Sequence, residues 1–358
     1  MDVIIEYREG ELRVGFAGNA RPSFTADSSF EVQKGLEATC LAITKELYNI
    51  FYMKLLVKPR ECRVIVVEPL LCPKVIRAAF MQVLLKTFAV KAVSFQADIH
   101  MAIVASGVSS GVVVHVGNSE STALAFSGYR PIIRSLQLSP LGYTQTVESF
   151  GRALAKAWAT NRIPPSHVHS LISQYAIGTM DAGADEDEVI VAALSNVETS
   201  PTGGPGSLIL TRHLRTFPVE VLAYGAAHRA DDVKGDSEDT AEKCDEFGGL
   251  AGLVLASLMK CEVDVRAKAA RKLVLCGPGA ALPHLSVAIA EAALQRARES
   301  LSGVTRERVL RDAHEAARQG HANDEAQLPP ADLAWIGASL FACMPQSSVR
   351  FVTKADVY

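Results

Sequence analysis

The stretch EYREGELRVGFAG, from Glu6 to Gly18, places a glycine-containing turn between two apolar segments. Glycine lets backbone N–H groups approach an anion closely, so a strand, a glycine turn and a second strand can form a phosphate-binding hairpin. The GFAG part is typical of the exit of such a hairpin. The EYREG part carries glutamates where a phosphate would lie, and like charges repel. The stretch therefore combines the framework of a phosphate site with charges that oppose phosphate.

Other candidate chemistry in the sequence is weaker. His167 and His169 would share one face of a strand and could bind a metal with a further ligand, although a polar loop is the simpler interpretation. The acidic runs at 181–188 and 231–246 fit a basic partner or a solvated loop. Arginines alternate with acidic residues over 296–318, which is typical of solvated helices. No Ser-His-Asp or Cys-His set can be nominated from spacing, and no metal site is predicted.

The elements that must position these residues alternate between strands and helices. Apolar runs predict strands at 63–69, 91–95, 111–117, 122–129 and 272–279, besides the amino-terminal pair. Helical spacing predicts helices over 31–58, from Pro73 onward, up to Ser106, and over 146–161 and 253–260, and two amphipathic helices rich in alanine and arginine after 272–279. We expect 163–216 to be rich in loops and 231–247 to be an acidic surface loop. The repeated unit of strand, glycine turn and strand predicts an α/β fold with two related halves.

Composition excludes several classes of protein. The chain has 358 residues and a formal net charge of -3, so it offers no basic field for nucleic acid or an anionic membrane. Its apolar runs are too short to span a membrane, and the amino terminus lacks the basic segment of a targeting peptide. The seven cysteines never form CxxC, which favours reduced thiols in a cytosolic or nuclear protein over a zinc site.

Seven stretches in order resemble the actin family, and they span nearly the whole chain. They are VGFAGNARPSF, VVEPLLCPK, ASGVSSGVVVHVG, FSGYRP, SLMKCEVDVR, VLCGPGAALP and WIGASLFACM. The resemblance implies the two-lobed α/β fold of actin, hexokinase and the Hsp70 ATPase. It implies an outer lobe of 1–105 plus 333–358 and an inner lobe of 106–332. The inner lobe would contain a divergent subdomain near 143–224 and an acidic loop at 231–247.

The resemblance also implies a nucleotide site, which this sequence has altered. The degenerate nucleotide-binding positions are Gly10, Arg13, Gly117, Asn118, Ser119, Gly277 and Gly279. Arg13 keeps the basic residue that could reach a phosphate, whereas His115 and Asn118 replace two aspartates of the second turn. Pro278 removes an N–H donor from the third turn, and the water-orienting position falls on Asp98. Together these changes argue against efficient ATP hydrolysis, although the glycines could also be ordinary turn glycines. We therefore predict no catalytic residue, weak or absent nucleotide binding and no certain cofactor; a structurally bound ATP or ADP is the alternative.

The segment between GFAG and FYMKLL is short, and this reduces the small outer subdomain near 25–48. In the family, that subdomain carries the loop that inserts into the next subunit at the pointed end of a filament. A subunit with one complementary face ends a filament instead of extending it. The resemblance places the opposite, barbed face at Val104, Gly107, Gly128, Tyr129, Leu340, Phe341 and Met344. Core packing is the alternative interpretation for Leu340 and Phe341.

The function implied is a non-catalytic, cytoplasmic cytoskeletal subunit that caps the pointed end of the actin-like filament of dynactin and supports dynein-dependent microtubule transport. The partners implied are actin or actin-related filament subunits and the other pointed-end subunits of dynactin, without nucleic acid or membrane. A second interpretation is an actin-related scaffold of a nuclear chromatin-remodelling complex, because the fold does not decide the function. A third, a phosphotransferase with the same fold, is disfavoured by EYREG and HVGNS.

Overall fold

The computed structural model describes residues 1–27, 35–158, 163–177, 188–191, 208–225, 247–300, 328–344 and 350–356. The chain forms two compact units, and each contains one five-stranded sheet. Unit 1 consists of Met1–Val108 and Asp332–Tyr358, and unit 2 consists of Ser109–Ala331. No helix among the described residues is both long and apolar enough to cross a membrane.

The sheet of unit 1 has the strand order β3-β2-β1-β4-β5. Its strands are β1 (Asp2–Arg8), β2 (Glu11–Phe16), β3 (Phe24–Asp27), β4 (Arg63–Glu68) and β5 (Ala92–Ala97). Strands β1, β4 and β5 are parallel, and β2 and β3 continue the sheet in antiparallel fashion. The carboxyl ends of three strands therefore meet at one edge of the sheet.

Helices cover both faces of this sheet. They are α1 (Leu36–Tyr48), which continues as a π-helical segment Asn49–Lys54, and α2 (Lys74–Gln82), which continues as a π-helical segment Val83–Thr87. The others are α3 (Asp98–Ser106) and, from the end of the chain, a helix over Leu333–Ala342 that is the tenth of the described helices, α10. Because successive side chains alternate, Val3 and Ile5 pack with α1 and α2, whereas Ile4 packs with Trp335. Burial on both faces explains the unbroken apolar runs of β1 and β4.

The larger sheet of unit 2 has the strand order β12-β6-β7-β8, and β9 pairs with β7. Its strands are β6 (Ser110–Val116), β7 (Ser121–Ser127), β8 (Arg130–Pro131), β9 (Gln137–Ser139) and β12 (Leu273–Cys276). Its helices are α4 (Tyr143–Ala157), α5 (Pro165–Tyr175), α6 (Arg212–Tyr224), α7 (Gly249–Met259), α8 (Val263–Ala269) and α9 (Leu285–Ser300). A separate hairpin pairs β10 (Glu188–Val191) with β11 (Leu208–Thr211).

Two sequence predictions of secondary structure are wrong in part. The region 163–216 contains α5, the β10–β11 hairpin and the start of α6. Helix α5 begins at a proline in its first turn and buries Val168, Leu171 and Ile172 at helical spacing. The helix predicted over 31–58 is α-helical only over Leu36–Tyr48, and residues 31–34 lie outside the described residues. The acidic run 231–246, residues 181–187 of the other acidic run and all of 301–318 also lie outside the described residues.

Candidate functional site

The turn between β1 and β2 contains only Glu9 and Gly10, because Arg8 pairs with Glu11 across the hairpin. Gly10 adopts a left-handed φ of 80°, and a side chain there would contact nothing within 4 Å. The glycine is therefore explained by the conformation of the turn. Nothing in its surroundings requires the close approach of a phosphate.

Below this turn, Glu6 binds two arginines. The Glu6 side chain is 1% exposed, and its Oε1 accepts a hydrogen bond of 2.8 Å from Arg8 Nε. Its Oε2 accepts one of 3.0 Å from Arg13 Nη1, because Glu6 and Arg13 are direct cross-strand neighbours. Burial raises the pKa of Glu6, and the charges of Arg8 and Arg13 lower it in turn. The glutamate that stands where a metal-associated aspartate was expected is thus neutralised by its own hairpin.

Arg13 also binds Asp332, which immediately precedes α10. The Arg13 side chain is buried, and both partners are carboxylates of unit 1. A phosphate would have to displace one of them to reach the guanidinium group. Sequence analysis nominated Arg13 but missed Asp332, which lies 319 positions away in the chain.

The edge formed by the carboxyl ends of β4 and β5 carries two more buried acids, Glu68 and Asp98, and Glu68 is paired with a cation. Glu68 ends β4, and Arg77 Nε lies 3.1 Å from its Oε1. Asp98, the predicted water-orienting position, begins α3, and its Oδ1 accepts a 2.7 Å hydrogen bond from the N–H of Ile99. Burial raises the pKa of Glu68, whereas burial and the charge of Glu68 raise the pKa of the Cys72 thiol to about 12.

These acids do not form a metal site. Among the residues that the structure describes, no group of three or more His, Cys, Asp and Glu side chains could hold a metal ion. Sequence reasoning missed Glu68 and Arg77, although a glutamate directly after the buried run RVIVV was the available signal. The edge of unit 1 is therefore a self-neutralised cluster of ion pairs.

In unit 2, the turn after β6 packs directly against the turn after β12. Strands β6 and β12 are parallel, and Cys276 is level with His115. A Cβ atom on Gly277 would lie 2.6 Å from the carbonyl oxygen of Val116, and one on Gly279 would lie 2.5 Å from Cγ1 of the same valine. Both glycines are therefore required by the packing of the two turns, whether or not a phosphate binds nearby.

The Gly117–Ser119 turn is held by the amino terminus of α4. The N–H groups of Tyr143 and Thr144 donate hydrogen bonds of 2.9 Å to the carbonyl oxygens of Gly117 and Asn118. Gln145 Nε2 donates to the carbonyl oxygen of Ser119 at 3.2 Å. The first N–H groups of α4 are thus used within the protein, although helix amino termini commonly bind anions.

The side chains beside this turn do not suit magnesium. His115 Nδ1 lies 3.8 Å from the buried Cys276 Sγ, and Thr122 is the cross-strand neighbour of His115. The buried Thr122 Oγ1 has no hydrogen-bond partner among the described residues. Imidazole and thiol groups prefer softer metals, whereas magnesium prefers oxygen ligands. The donor set of this hairpin therefore does not fit a magnesium-bound nucleotide.

The barbed-face residues of unit 1 lie on two helices that pack very closely. A Cβ atom on Gly337 of α10 would lie 1.8 Å from the carbonyl oxygen of Met101 in α3, so only glycine permits this approach. Val104 and Phe341 are half-buried and pack against the same core. Leu340 is 48% exposed and Met344 is 40% exposed. Core packing thus explains why Phe341 is partly buried. It does not explain the apolar side chain of Leu340, which is exposed.

Gly107 follows α3 in unit 1, whereas Gly128 and Tyr129 lie in unit 2. The last two form the two-residue turn between β7 and β8, with φ of 59° and 61°. A turn with two left-handed residues suits a hairpin, but Tyr at the second position is unusual, since β-hairpin turns of this type favour glycine there. The Tyr129 side chain is exposed, so the turn presents an aromatic ring at a cost in backbone strain.

The predicted shared face of His167 and His169 is wrong. Both residues lie on α5, where positions two apart point in different directions. His169 Nδ1 lies 3.4 Å from the hydroxyl of Tyr143. Six of the seven cysteines are described, and all six are free thiols.

One comparison with known families bears on these observations. Residues 29–175 match the family model of actin, from just before α1 to the end of α5. The matched segment, which is less than half of the 358 residues, is therefore similar to actin. With two five-stranded sheets and ten α-helices among the described residues, the chain has an actin-like α/β fold.

Proposed function

We propose, on the premise of this actin-like fold, that the protein is a non-catalytic actin-related subunit that caps the pointed end of the dynactin filament. The stretch YNIFYMKLLVKPRECRVIVVEPLLCP resembles actin-related protein 10, and this resemblance supports the proposal. In that role the protein would bind an actin-like filament and other pointed-end subunits of dynactin, in the cytoplasm.

The observation that carries the proposal is the short connection between β3 and α1. Strand β3 ends at Asp27 and α1 begins at Leu36. So few residues cannot form a separate core, since even small domains need many more to bury enough apolar surface. We infer that the outer subdomain near 25–48, which carries the pointed-end contact of a filament subunit, is largely reduced in this chain. A heterologous assembly stops at a subunit that lacks one of the two complementary faces.

The barbed face retains exposed apolar and aromatic side chains of the kind that form interfaces. Leu340 lies in the last turn of α10 and Met344 follows two residues after its end, and both side chains are exposed beside a close helix pair. In unit 2, Tyr129 is exposed on a turn that holds its backbone in one conformation. Exposed aromatic and apolar side chains on rigid supports are typical of interface centres.

The ion pairs and turns support a protein that does not hydrolyse ATP. Arg13 is bound to Glu6 and Asp332, and His115, with the Cys276 thiol beside it, stands where the resemblance implies an aspartate. If ATP or ADP binds, its role in this proposal is structural. The actin-like framework is then kept for its shape and for the surface that it presents.

Affinity purification of the full-length chain tests the proposal. The wild type is expected to recover actin-related filament subunits and dynactin subunits, as identified by mass spectrometry. The variants Met344→Glu and Tyr129→Glu place a charge on the barbed face and are expected to reduce this recovery at least tenfold, because a buried unpaired charge costs several kcal/mol. Circular dichroism should show unchanged folding, since both side chains are exposed.

Val263→Glu is the matched control, because Val263 is an exposed apolar residue in the first turn of α8 and is not on the barbed face. This variant should bind filament subunits like the wild type. Recovery of a chromatin-remodelling ATPase in place of dynactin would support the nuclear scaffold instead. Retention of filament subunits by both barbed-face variants would refute the assigned surface.

A further inference from the structure

Helix α1 presents apolar side chains on both of its sides. One side packs into unit 1 through Ile43, Leu47, Ile50 and Phe51, all of which are fully buried. The other side exposes Leu41 at 74%, Tyr48 at 58% and Leu56 at 79%. Helices of soluble proteins normally place polar residues on the side that faces water. We name Leu41, Tyr48, Tyr52, Met53 and Leu56 the α1 stripe.

Spacing places the first members of the α1 stripe on a common side. Leu41, Lys45, Tyr48 and Tyr52 follow each other at intervals of four, three and four residues, which is the spacing of helical neighbours. Met53 and Leu56 follow directly, where the helix continues as the π-helical segment and ends. Tyr48, Tyr52, Met53 and Leu56 are therefore close in sequence at the end of the helix, and Leu41 lies two turns earlier with Lys45 between it and Tyr48, whereas isolated exposed residues would need no explanation.

The α1 stripe is held in one conformation. The rings of Tyr48 and Tyr52 pack at 4.8 Å between centroids, and the ring of Tyr52 lies 6.5 Å from that of Phe88. Rigid aromatic side chains lose little entropy when a partner covers them, so such residues dominate interfaces.

The backbone conformation of Leu56 is strained, which costs the fold free energy. Its φ is 54°, a left-handed value at the end of the helix where glycine is preferred. The N–H of Val57 donates to the carbonyl oxygen of Phe51 across this position at 3.0 Å, which completes the helix end. Since the Leu56 side chain is almost fully exposed, the strained leucine adds nothing to the core of unit 1. Strain of this kind is expected where a residue serves another purpose.

The positive charges around the α1 stripe indicate a partner with negative charges. Residues 41–60 contain four basic residues and one acidic residue, whereas the whole chain has a net charge of -3. The basic residues are Lys45, Lys54, Lys58 and Arg60. A second copy of this chain would bring the same basic rim to the interface, and like charges would oppose the pairing. An anionic membrane surface would suit the positive charge of these residues. A stripe that is one helix wide and contains a packed tyrosine pair is better suited to pack against the apolar face of another helix.

We propose that the α1 stripe docks an amphipathic helix of another protein, whose apolar face is flanked by aspartate and glutamate. This surface lies within unit 1 and includes none of the barbed-face residues, so it provides a second attachment point that is independent of filament capping. The apolar face of the partner would cover Tyr48 and Tyr52, and its acidic flanks would meet Lys45 and Lys58.

The fold supplies a matched pair of variants. Ala89 has a φ of 52° at the end of the π-helical segment after α2, the same position that Leu56 occupies after α1. Leu56→Gly and Ala89→Gly should both raise the melting temperature, by about 2–4 °C each, because glycine removes the left-handed strain. Only Leu56→Gly removes a side chain of the α1 stripe. A loss of docking combined with a gain in stability would separate recognition from folding.

Site-specific photo-cross-linking in the full-length chain identifies the partner segment. A photoreactive residue at Tyr48 should cross-link to a segment with apolar residues at helical spacing and flanking acidic residues. The same residue at Ile133, an exposed apolar position of unit 2, provides the background level. Leu56→Gly should reduce the Tyr48 cross-link about tenfold and Ala89→Gly should leave it unchanged, and raising the salt concentration should weaken it.

Four results would overturn the proposal. These are a cross-link to lipid, a cross-link between two copies of this chain, a cross-linked segment without acidic residues, and a yield no higher than at Ile133. The barbed-face variant Met344→Glu should leave the Tyr48 cross-link intact. A loss of both contacts in that variant would mean that the α1 stripe is not independent of filament attachment.

Discussion

Arg13→Met tests whether Arg13 holds unit 1 together or is kept for a phosphate. Methionine keeps much of the length and apolar volume of the arginine stem but removes the guanidinium group. The substitution leaves Glu6, which is 1% exposed, with Arg8 as its remaining guanidinium partner in the hairpin. It also removes the Arg13 contact of Asp332. Both losses fall within unit 1.

The expected magnitude follows from the burial of the pair. Removing one partner of a buried ion pair costs about 3–5 kcal/mol, since the other charge remains buried. Arg8 still binds Glu6 at 2.8 Å, and Asp332 is partly exposed to water. We therefore expect the lower end of the range, about 3 kcal/mol. Lys58→Met is the control, because Lys58 and Glu61 are exposed and 3.9 Å apart, and such pairs contribute less than about 1 kcal/mol.

Tryptophan fluorescence during urea unfolding can report unit 1 alone. The chain has two tryptophans, and Trp335 lies fully buried in unit 1, whereas Trp158 lies in unit 2. A Trp158→Phe background leaves Trp335 as the single reporter. This choice matters because two units can unfold separately, and a single free energy of unfolding would then be undefined.

The destabilisation should also depend on pH. Burial raises the pKa of Glu6, so the folded state favours its protonated form, and the cost of the buried charge is relieved as pH falls through this pKa. Arg13→Met removes one of the two charges that lower the pKa, so the loss of stability should be larger at pH 8 than at pH 5. A loss below about 1 kcal/mol, or one that does not change with pH, would refute the structural role of Arg13.

Three further predictions use the same chain. Gly337→Ala should destabilise unit 1 by about 1–3 kcal/mol in the Trp335 assay, because the added Cβ atom meets the Met101 carbonyl oxygen; wild-type stability would contradict the close helix contact. Tyr129→Gly should raise the melting temperature, since it relieves about 1 kcal/mol of left-handed strain, and it should still weaken filament recovery; unchanged recovery would remove Tyr129 from the interface. Mg-ATP should produce no saturable thermal shift, whereas ligand at one hundred times its Kd would stabilise the protein by about 2.7 kcal/mol.

The interior strands of the two sheets could be predicted from the sequence. Strands β1, β4 and β6 are continuous apolar runs because helices or other strands cover them, and this pattern is visible without a structure. The π-helical segment Asn49–Lys54 could not be predicted, since its apolar residues keep a helix-like spacing. The sequence of α5 predicts a loop because polar residues and prolines dominate it. Its three buried residues nevertheless have helical spacing.

The candidate site was predictable in its residue types but not in its contacts. The sequence shows that His115 and Asn118 stand where the resemblance implies two aspartates. It does not show that Asp332 binds Arg13, because the two residues are 319 positions apart. Likewise, a glycine that approaches a phosphate and one that approaches the Val116 carbonyl oxygen look the same in a sequence. Only the coordinates identify which atom a side chain at Gly277 would meet.

Unit 1 is assembled from both ends of the chain, and this has a consequence for biosynthesis. Ile4 and Ile65 emerge from the ribosome early, but Trp335, which packs against them, follows only after residues 109–331. At roughly 5–20 residues per second, the ribosome needs about 10–45 s to make the intervening unit. During that interval one face of the parallel sheet lacks its cover and is open to aggregation. We expect the yield of cell-free synthesis to rise when a chaperone is present while translation proceeds, and to rise less when it is added afterwards.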